Sequence, residues 1–238
     1  MSSHVSVLLV PGAWHGPWAW DQVSRRLAAR GFNVCVLDLA STGAEPATLG
    51  GLYDDAARFQ ETAARLPGTV VAVGHSYGGM VLSQGAAGLP NVGHLVYLAA
   101  FMLDVGQSVL SLFGGQIPPI LSLDADARAT TPLDPAALFY NGCSPETTDD
   151  AIARLTPQSV LSFQQPLTNA AWHDVPSTYV LTAQDRGIPA SAQDQMANQA
   201  THRHTLDTGH SAQLSQPGHV VDLIEHTVAS ISTPDLVR

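Results

Sequence analysis

Short apolar runs alternate with amphipathic stretches along most of the chain. Segments whose apolar residues recur at helical spacing separate these runs and predict helices. Strand and helix alternating in this way indicate a mostly parallel sheet with right-handed crossovers and helices on both faces. The predicted strands are Val5–Val10, Asn33–Leu39, Thr69–Val73, His94–Ala100, Thr178–Thr182 and Arg203–Leu206, and the predicted helices are Trp18–Arg30, Leu52–Leu66, Tyr77–Ala87, Ala190–Ala200 and Val220–Ser230.

The alternation stops between residues 104 and 176, which we call the cap segment. This segment is rich in Pro, Gly and Ser, and it holds short helical pieces such as Ser144–Leu155. An excursion of about seventy residues is too long for a plain loop in a compact domain. We therefore expect a helical cap insertion over a functional surface, on a core made of residues 1–103 and 177–238. The alternative is an extension that contacts no site.

Composition narrows the classes of function. Twenty acidic residues against ten basic ones give 238 residues a formal charge of −10, which disfavours nucleic acid and anionic membrane surfaces as partners. All ten basic residues are arginine. Without a lysine there is no Schiff base to form, so pyridoxal phosphate chemistry is excluded, and we expect neither a cofactor nor a metal.

The first residues and the cysteines suggest a location. Met-Ser-Ser-His leads straight into Val5–Val10, a run too short to span a membrane and without the charged flank of a secretion signal. Cys35 and Cys143 lie in dissimilar segments and do not indicate a disulfide framework. We expect a cytoplasmic protein, and a homodimer is left open.

The strand Val70–Val73 runs into a serine held between two glycines, Gly74-His75-Ser76-Tyr77-Gly78. This is the G-x-S-x-G pattern of a nucleophile elbow, where the serine sits on a tight strand-to-helix turn. The glycines are needed because side chains two residues to either side would collide. A strand before and a helix after the pentapeptide make Ser76 the predicted nucleophile.

A serine hydroxyl needs an imidazole to take its proton and an acid to orient that imidazole. Functional groups of open parallel sheets gather at the carboxyl ends of the strands. His210 follows the last strand and is the predicted base. Asp185 follows the preceding strand and is the predicted acid, with a helix-capping role as its alternative and Asp104 as the fallback.

Two backbone amides must stabilise the developing oxyanion. We expect one from Tyr77, directly after the serine, and one from Ala13, in the loop after the first strand. Aromatic side chains predict a mostly apolar substrate pocket. Its predicted lining residues are Trp14, His15, Phe101, Phe113 and Phe139.

Five segments together resemble the α/β-hydrolase superfamily: Leu8–Trp20, Gly74–Gly79, Val96–Phe101, Thr182–Asp185 and Gly209–Ser215. Within it they are similar to the branch of plant methylesterases and hydroxynitrile lyases and their bacterial esterase relatives. The resemblance implies the α/β-hydrolase fold, with Ser76, Asp185 and His210 as the triad and Ala13 and Tyr77 as the oxyanion hole.

Two departures from that branch bear on the reaction. Its usual His-Gly pair in the first loop is replaced by Pro11-Gly12. Hydroxynitrile lyases have a threonine in this loop and a lysine after the catalytic histidine, where this chain has Gly12 and Ser211. Cyanide departure would therefore lack a positive charge, which disfavours lyase activity.

The leading hypothesis is a serine hydrolase that cleaves small to medium apolar carboxylic esters through an acyl-enzyme on Ser76. A different enzyme class stays open, because the same fold hosts lyases and natural-product tailoring steps that could use His210 and Asp185 as a base. A slow-turnover ligand receptor is the third alternative.

Overall fold

The apolar runs form a six-stranded sheet in which every neighbouring pair is parallel. The computed structural model describes residues 5–232. Its strands are β1 (Val5–Val10), β2 (Asn33–Val36), β3 (Thr69–His75), β4 (Val92–Leu98), β5 (Leu121–Leu123), β6 (Ala129–Pro132), β7 (Gln158–Ser159), β8 (Ser177–Thr182) and β9 (His202–Leu206). The order of strands in the six-stranded sheet is β2-β1-β3-β4-β8-β9.

Helices cover both faces of this sheet, and further short helices lie in the cap segment. They are α1 (Asp21–Ala29), α2 (Leu52–Arg65), α3 (Gly78–Gly85), α4 (Pro135–Phe139), α5 (Pro145–Ala153), α6 (Val160–Gln164), α7 (Ala190–Ala197), α8 (Ala212–Ser215) and α9 (Pro217–Ser232). Short 3₁₀ turns cover Pro17–Trp20, Pro46–Thr48, Leu110–Phe113 and Ala171–His173. The predicted α/β-hydrolase fold, a parallel sheet between two helical layers, is confirmed.

The β1 strand shows how the sheet is buried on both sides. Val7 and Leu9 point into one cluster with residues of α1 and α9, whereas Leu8 and Val10 point into the other with residues of α2 and α3. Successive side chains of a strand face opposite ways, so a strand covered on both faces must be apolar throughout. This is why Val5–Val10 could be predicted as a central strand.

Some boundaries differ from the prediction. The second strand ends at Val36 rather than Leu39, and β4 ends at Leu98 rather than Ala100. Ala99 has φ of 44°, a left-handed conformation that turns the chain out of the sheet. The last helix begins three residues before the predicted Val220, at Pro217, because proline is well suited to the first helical turn.

The cap segment contains more than helices. It includes α4, α5 and α6, but also a three-stranded antiparallel sheet in the order β5-β6-β7. The purely helical description of the insertion was therefore incomplete. The strands are two to four residues long, and their sequences lack a sustained alternation of apolar and polar positions that would have indicated them.

Among the helices of residues 5–232, none is long and apolar enough to cross a membrane. The expectation that Met-Ser-Ser-His is not part of a secretion signal concerns residues 1–4, which lie outside the described part of the chain.

Candidate active site

Ser76 sits at the sharp turn between β3 and α3. Its φ of 52° is left-handed, a conformation that is uncommon outside glycine. The turn is closely packed, since a Cβ on Gly74 would lie 2.7 Å from the backbone of Gly78, and one on Gly78 would lie 2.8 Å from the carbonyl oxygen of Pro11. Only glycine fits at both positions, which is the steric requirement that the G-x-S-x-G pattern predicted.

The loop after β1 packs against this turn. A Cβ on Gly12 would lie 3.0 Å from that of Ser76, so the two backbones approach as closely as glycine permits. Ala13 and Tyr77, the predicted oxyanion donors, both line the same cavity as Ser76. Within residues 5–232, no group accepts a hydrogen bond from either amide. Both amides are thus available to a ligand.

His210 and Asp185 form a buried pair at the carboxyl ends of β8 and β9. Nδ1 of His210 lies 2.8 Å from Oδ2 of Asp185, and their side chains are 2% and 0% exposed. Because an ionised carboxylate only accepts, Nδ1 carries the proton. This leaves Nε2 as the nitrogen that can exchange a proton, and His210 lines the same cavity as Ser76.

Asp185 accepts four further hydrogen bonds. Oδ1 accepts from the amides of Gly187 and Ile188, and Oδ2 accepts from the Thr182 hydroxyl and the Gln193 amide. Burial by itself would raise the pKa of Asp185, but the His210 charge and these hydrogen bonds outweigh it and lower the pKa. The carboxylate therefore stays ionised beside the imidazole.

The fallback acid lies elsewhere. Asp104 is half-buried, and its Oδ1 lies 2.9 Å from Nε2 of His173. Asp207, three residues before His210, is exposed and accepts a hydrogen bond from Gln184. Neither carboxylate hydrogen-bonds His210, so of the two candidates the structure places Asp185 beside the predicted base.

A mostly apolar cavity opens onto Ser76 and His210. The space between its walls, together with open solvent at its mouth, is about 530 Å³, of which about 60 Å³ is accessible to the centre of a water molecule. Four of the predicted pocket residues, Trp14, Phe101, Phe113 and Phe139, are on its wall. The remaining lining residues are Ala13, Tyr77, Val109, Leu110, Pro118, Ile120, Leu121, Phe163, Gly187 and Ile188. No arginine, aspartate or glutamate is among them, so the cavity suits an uncharged, apolar ligand.

His15, the fifth predicted pocket residue, was wrongly assigned, because it does not line this cavity. Its ring is buried behind the loop, where Nδ1 donates to the carbonyl of Ala13 at 2.7 Å and Nε2 accepts from the Tyr140 hydroxyl at 2.8 Å. Burial lowers the pKa of His15 to about 4. A neutral imidazole with both nitrogens engaged supports the loop instead of contacting a ligand.

His75, inside the elbow, hydrogen-bonds to the backbone of His210. Its Nε2 donates to the His210 carbonyl at 3.0 Å, and its Nδ1 lies 3.2 Å from the side-chain amide of Gln213. Burial lowers the pKa of His75 well below its usual value, and the charge of His210 adds to the shift. A neutral His75 avoids placing a second positive charge beside the base.

Sequence reasoning missed a buried polar network under the elbow. The Tyr77 hydroxyl and the Ser41 hydroxyl both donate to Oδ2 of Asp55, at 2.7 and 2.5 Å. Gln158 of β7 donates in turn to the Ser41 hydroxyl at 2.8 Å. Burial raises the pKa of Asp55. The sequence carried one sign of this network. Asp55 lies on the mostly apolar face of α2, and a buried aspartate needs polar partners.

Metal ligands are not gathered anywhere in the described part of the chain. Residues 5–232 hold no group of three His, Cys, Asp or Glu side chains placed to bind an ion.

Comparison with known proteins identifies the family. A family model described as "Alpha/beta hydrolase family" matches residues 7–223, which is most of the chain. The chain belongs to the alpha/beta hydrolase family. The predicted membership of this superfamily is thereby confirmed.

Several curated relatives of this alpha/beta hydrolase are similar over most of their length. Alpha/beta hydrolase nvfD of Aspergillus novofumigatus is 28% identical, with 93% of this chain and 95% of the relative covered. Salicylic acid-binding protein 2 of Nicotiana tabacum is 31% identical over 78% and 81%. A carbendazim hydrolyzing esterase of Nocardioides is 32% identical over 67% and 72%. The predicted resemblance to plant proteins of this branch and to bacterial esterases is confirmed.

Solved structures agree with the fold. A pyrethroid hydrolase from Sphingobium faniae superimposes with a TM-score of 0.83 at 21% identity, covering 95% of this chain and 98% of that one. At this identity the likeness shows the shared architecture.

Proposed function

We propose that this alpha/beta hydrolase cleaves uncharged carboxylic esters through an acyl-enzyme on Ser76. The observation that carries the proposal is the buried His210–Asp185 pair, which shares one apolar cavity with a strained serine and two unengaged amides. Esterases and hydrolases among the relatives support the same class of reaction.

The arrangement supplies each step of acyl transfer. Ser76 Oγ attacks the ester carbonyl while its proton passes to Nε2 of His210, and Asp185 stabilises the resulting imidazolium. The carbonyl oxygen takes the negative charge, which the amides of Ala13 and Tyr77 stabilise. The departing alcohol takes the proton from His210. Water then loses a proton to His210 and attacks the acyl-enzyme, and that proton passes from His210 to Ser76 Oγ as the acid leaves.

The wall of the cavity supports an uncharged substrate. The wall includes Trp14, Leu110, Phe139 and Ile188, whose side chains contact hydrocarbon well and bind no carboxylate. The net charge of −10 supports the proposal that the partner is a small molecule rather than nucleic acid or an anionic membrane. A cytoplasmic location remains a prediction.

A series of p-nitrophenyl esters of increasing acyl length tests the nucleophile and the substrate class together. Ser76→Ala should lower kcat for every ester that the wild type cleaves, by roughly 10⁴ to 10⁶. Ser83→Ala is the matched control, because this buried serine of α3 bonds to Gly79 and Tyr97 and does not line the cavity. It should retain the wild-type kcat.

Three outcomes would contradict the proposal. Turnover undiminished by Ser76→Ala rules out the acyl-enzyme. Activity lost in His210→Ala but kept in Ser76→Ala would indicate proton abstraction by a lyase or tailoring enzyme. A wild type that binds apolar esters tightly and cleaves none would be a ligand receptor.

A further inference from the structure

The loop that holds the predicted oxyanion donor packs against the elbow, but its hydrogen bonds at Trp14 all go to the cap segment. Trp14, next to Ala13 in this loop, has φ of 64°, a left-handed conformation that is strained for a tryptophan. Such a conformation persists only where its surroundings hold it in place. What holds Trp14 therefore determines the geometry of the loop.

All three polar groups of Trp14 bond to the cap segment. Its amide donates to Oε1 of Gln158 at 3.1 Å, its carbonyl accepts from the amide of Thr156 at 3.1 Å, and its indole Nε1 donates to the carbonyl of Thr130 at 2.9 Å. The indole ring also stacks on Phe139 at 5.4 Å. Strands β6 and β7 supply the partners Thr130 and Gln158.

Gln158 is the side chain that fixes the peptide between Ala13 and Trp14. On one side of that peptide, the Trp14 amide donates to Gln158; on the other, the Ala13 carbonyl accepts from His15. Gln158 is fully buried, and its own amide donates to Ser41 and to Ser162 at 2.8 and 2.7 Å. These two bonds set which way Oε1 faces, so the side chain cannot rotate without leaving buried groups unpaired.

The same glutamine connects the two halves of the oxyanion hole. Ser41 accepts a hydrogen bond from Gln158 and donates one to Asp55. Asp55 also accepts from the hydroxyl of Tyr77, and the backbone amide of Tyr77 is the second predicted oxyanion donor. A single buried network thus reaches Trp14, next to the first donor, and the side chain of Tyr77, the second. Displacement of β7 would disturb both donors at once.

We propose that Gln158 is a positioning residue that aligns the oxyanion hole for the transition state, so that a correctly seated cap segment is required for catalysis and not only for substrate selection. This inference rests on the proposed ester hydrolysis. It predicts an effect on kcat in particular, because the hole contacts the oxyanion of the transition state and not the ground-state ester.

Gln158→Met tests the inference, since methionine nearly matches the shape of glutamine and removes both polar atoms. The expected result is a kcat 10- to 100-fold lower with KM within about twofold, because a misplaced donor loses up to the effect of a removed one. Gln84→Met is the matched control, because Gln84 is also a buried glutamine that bonds to the cap segment, at Thr168 and Asn169, but it bonds to no member of the Gln158 network and does not line the cavity. It should retain the wild-type kcat.

A transition-state analogue separates positioning from a collapsed pocket. An alkyl trifluoromethyl ketone forms a hemiketal with Ser76 whose oxyanion occupies the hole, whereas the corresponding secondary alcohol fills the cavity without reacting. In Gln158→Met, affinity for the ketone should fall in proportion to kcat/KM while affinity for the alcohol is unchanged. If both affinities fall together, or neither falls, the inference is wrong.

A second variant covers the case in which Gln158→Met does not fold. Gln158→Asn keeps an amide but withdraws it by one methylene, so it should show the same loss of kcat, and a cooperative thermal melt verifies that it is folded. A wild type that cleaves no ester refutes the proposed function. A wild type that cleaves esters while folded Gln158 variants keep full kcat refutes this inference alone.

Discussion

The sequence was most informative about the catalytic residues, because acyl transfer by a serine requires particular residue types at the ends of strands. A serine between two glycines after a buried strand, and a histidine and an aspartate after later strands, could be found without coordinates. The support of the site was not visible in this way. His15 and Gln158 act through buried hydrogen bonds, and which polar groups a buried side chain meets depends on packing between distant segments.

Asp185→Asn tests the orienting carboxylate. Asparagine has a donor NH₂ group in place of one of the two oxygens that accept from His210 Nδ1–H and four other donors. The imidazole therefore loses its fixed tautomer and orientation, and kcat should fall by roughly 10²- to 10⁴-fold. The measurement is kcat for the best p-nitrophenyl ester. Asp104→Asn is the matched control, because Asp104 pairs with His173 at the surface; an equal loss in both variants would argue against the assignment.

At the scale of elements, prediction succeeded where a strand or helix is defined by its own burial pattern. The central strands are apolar on both faces, and helices such as α2 carry apolar residues at helical spacing. The strands of the cap segment are short and mixed in character, and they pair with one another and, through Gln158, with Thr42 of the core. The sequences of these strands alone do not indicate which segments pair.

Gly74→Ala tests the packing of the elbow between β3 and α3. The added Cβ would lie 2.7 Å from the backbone of Gly78, so the turn must shift. We expect a free energy of unfolding lower by about 1–3 kcal/mol, together with a large loss of esterase activity. Gly218→Ala in α9 adds a Cβ that meets nothing within 4 Å. It should change neither quantity appreciably, as urea unfolding and ester assays would show.

At the scale of the molecule, the parallel order of the sheet explains how residues far apart in sequence meet. Ser76, Asp185 and His210 follow β3, β8 and β9, whose carboxyl ends lie at one edge. The topological rule for open sheets predicted this convergence. It could not predict the cavity, because most of the wall comes from the cap segment and from loops whose course depends on the complete fold.

Stability at the whole-molecule scale should decrease in acid because of buried neutral histidines. Burial lowers the pKa of His94 to about 4, with a contribution from the charge of His202. Between that pKa and the ordinary value of 6.5, the unfolded chain binds a proton that the folded chain does not, so stability is full above 6.5 and decreases as the pH falls toward 4.

From pH 7 to pH 5 the contribution of His94 to this decrease is about 1–2 kcal/mol. His94→Gln should therefore lose less stability over that interval than the wild type, measured by urea unfolding at both pH values. Because His94 lies in β4, away from the cavity, ester turnover at pH 7 serves as the control and should be retained. Identical losses in the two proteins would contradict the account.

Ester hydrolysis by this protein depends on His210 making Ser76 nucleophilic. Reaction of the folded protein with an alkyl fluorophosphonate, followed by intact mass and peptide fragmentation, measures that nucleophilicity. We expect one adduct, located on Ser76, that forms at least roughly 100-fold more slowly in His210→Ala. No adduct, an adduct on another residue, or an equal rate in His210→Ala would show that His210 does not activate Ser76.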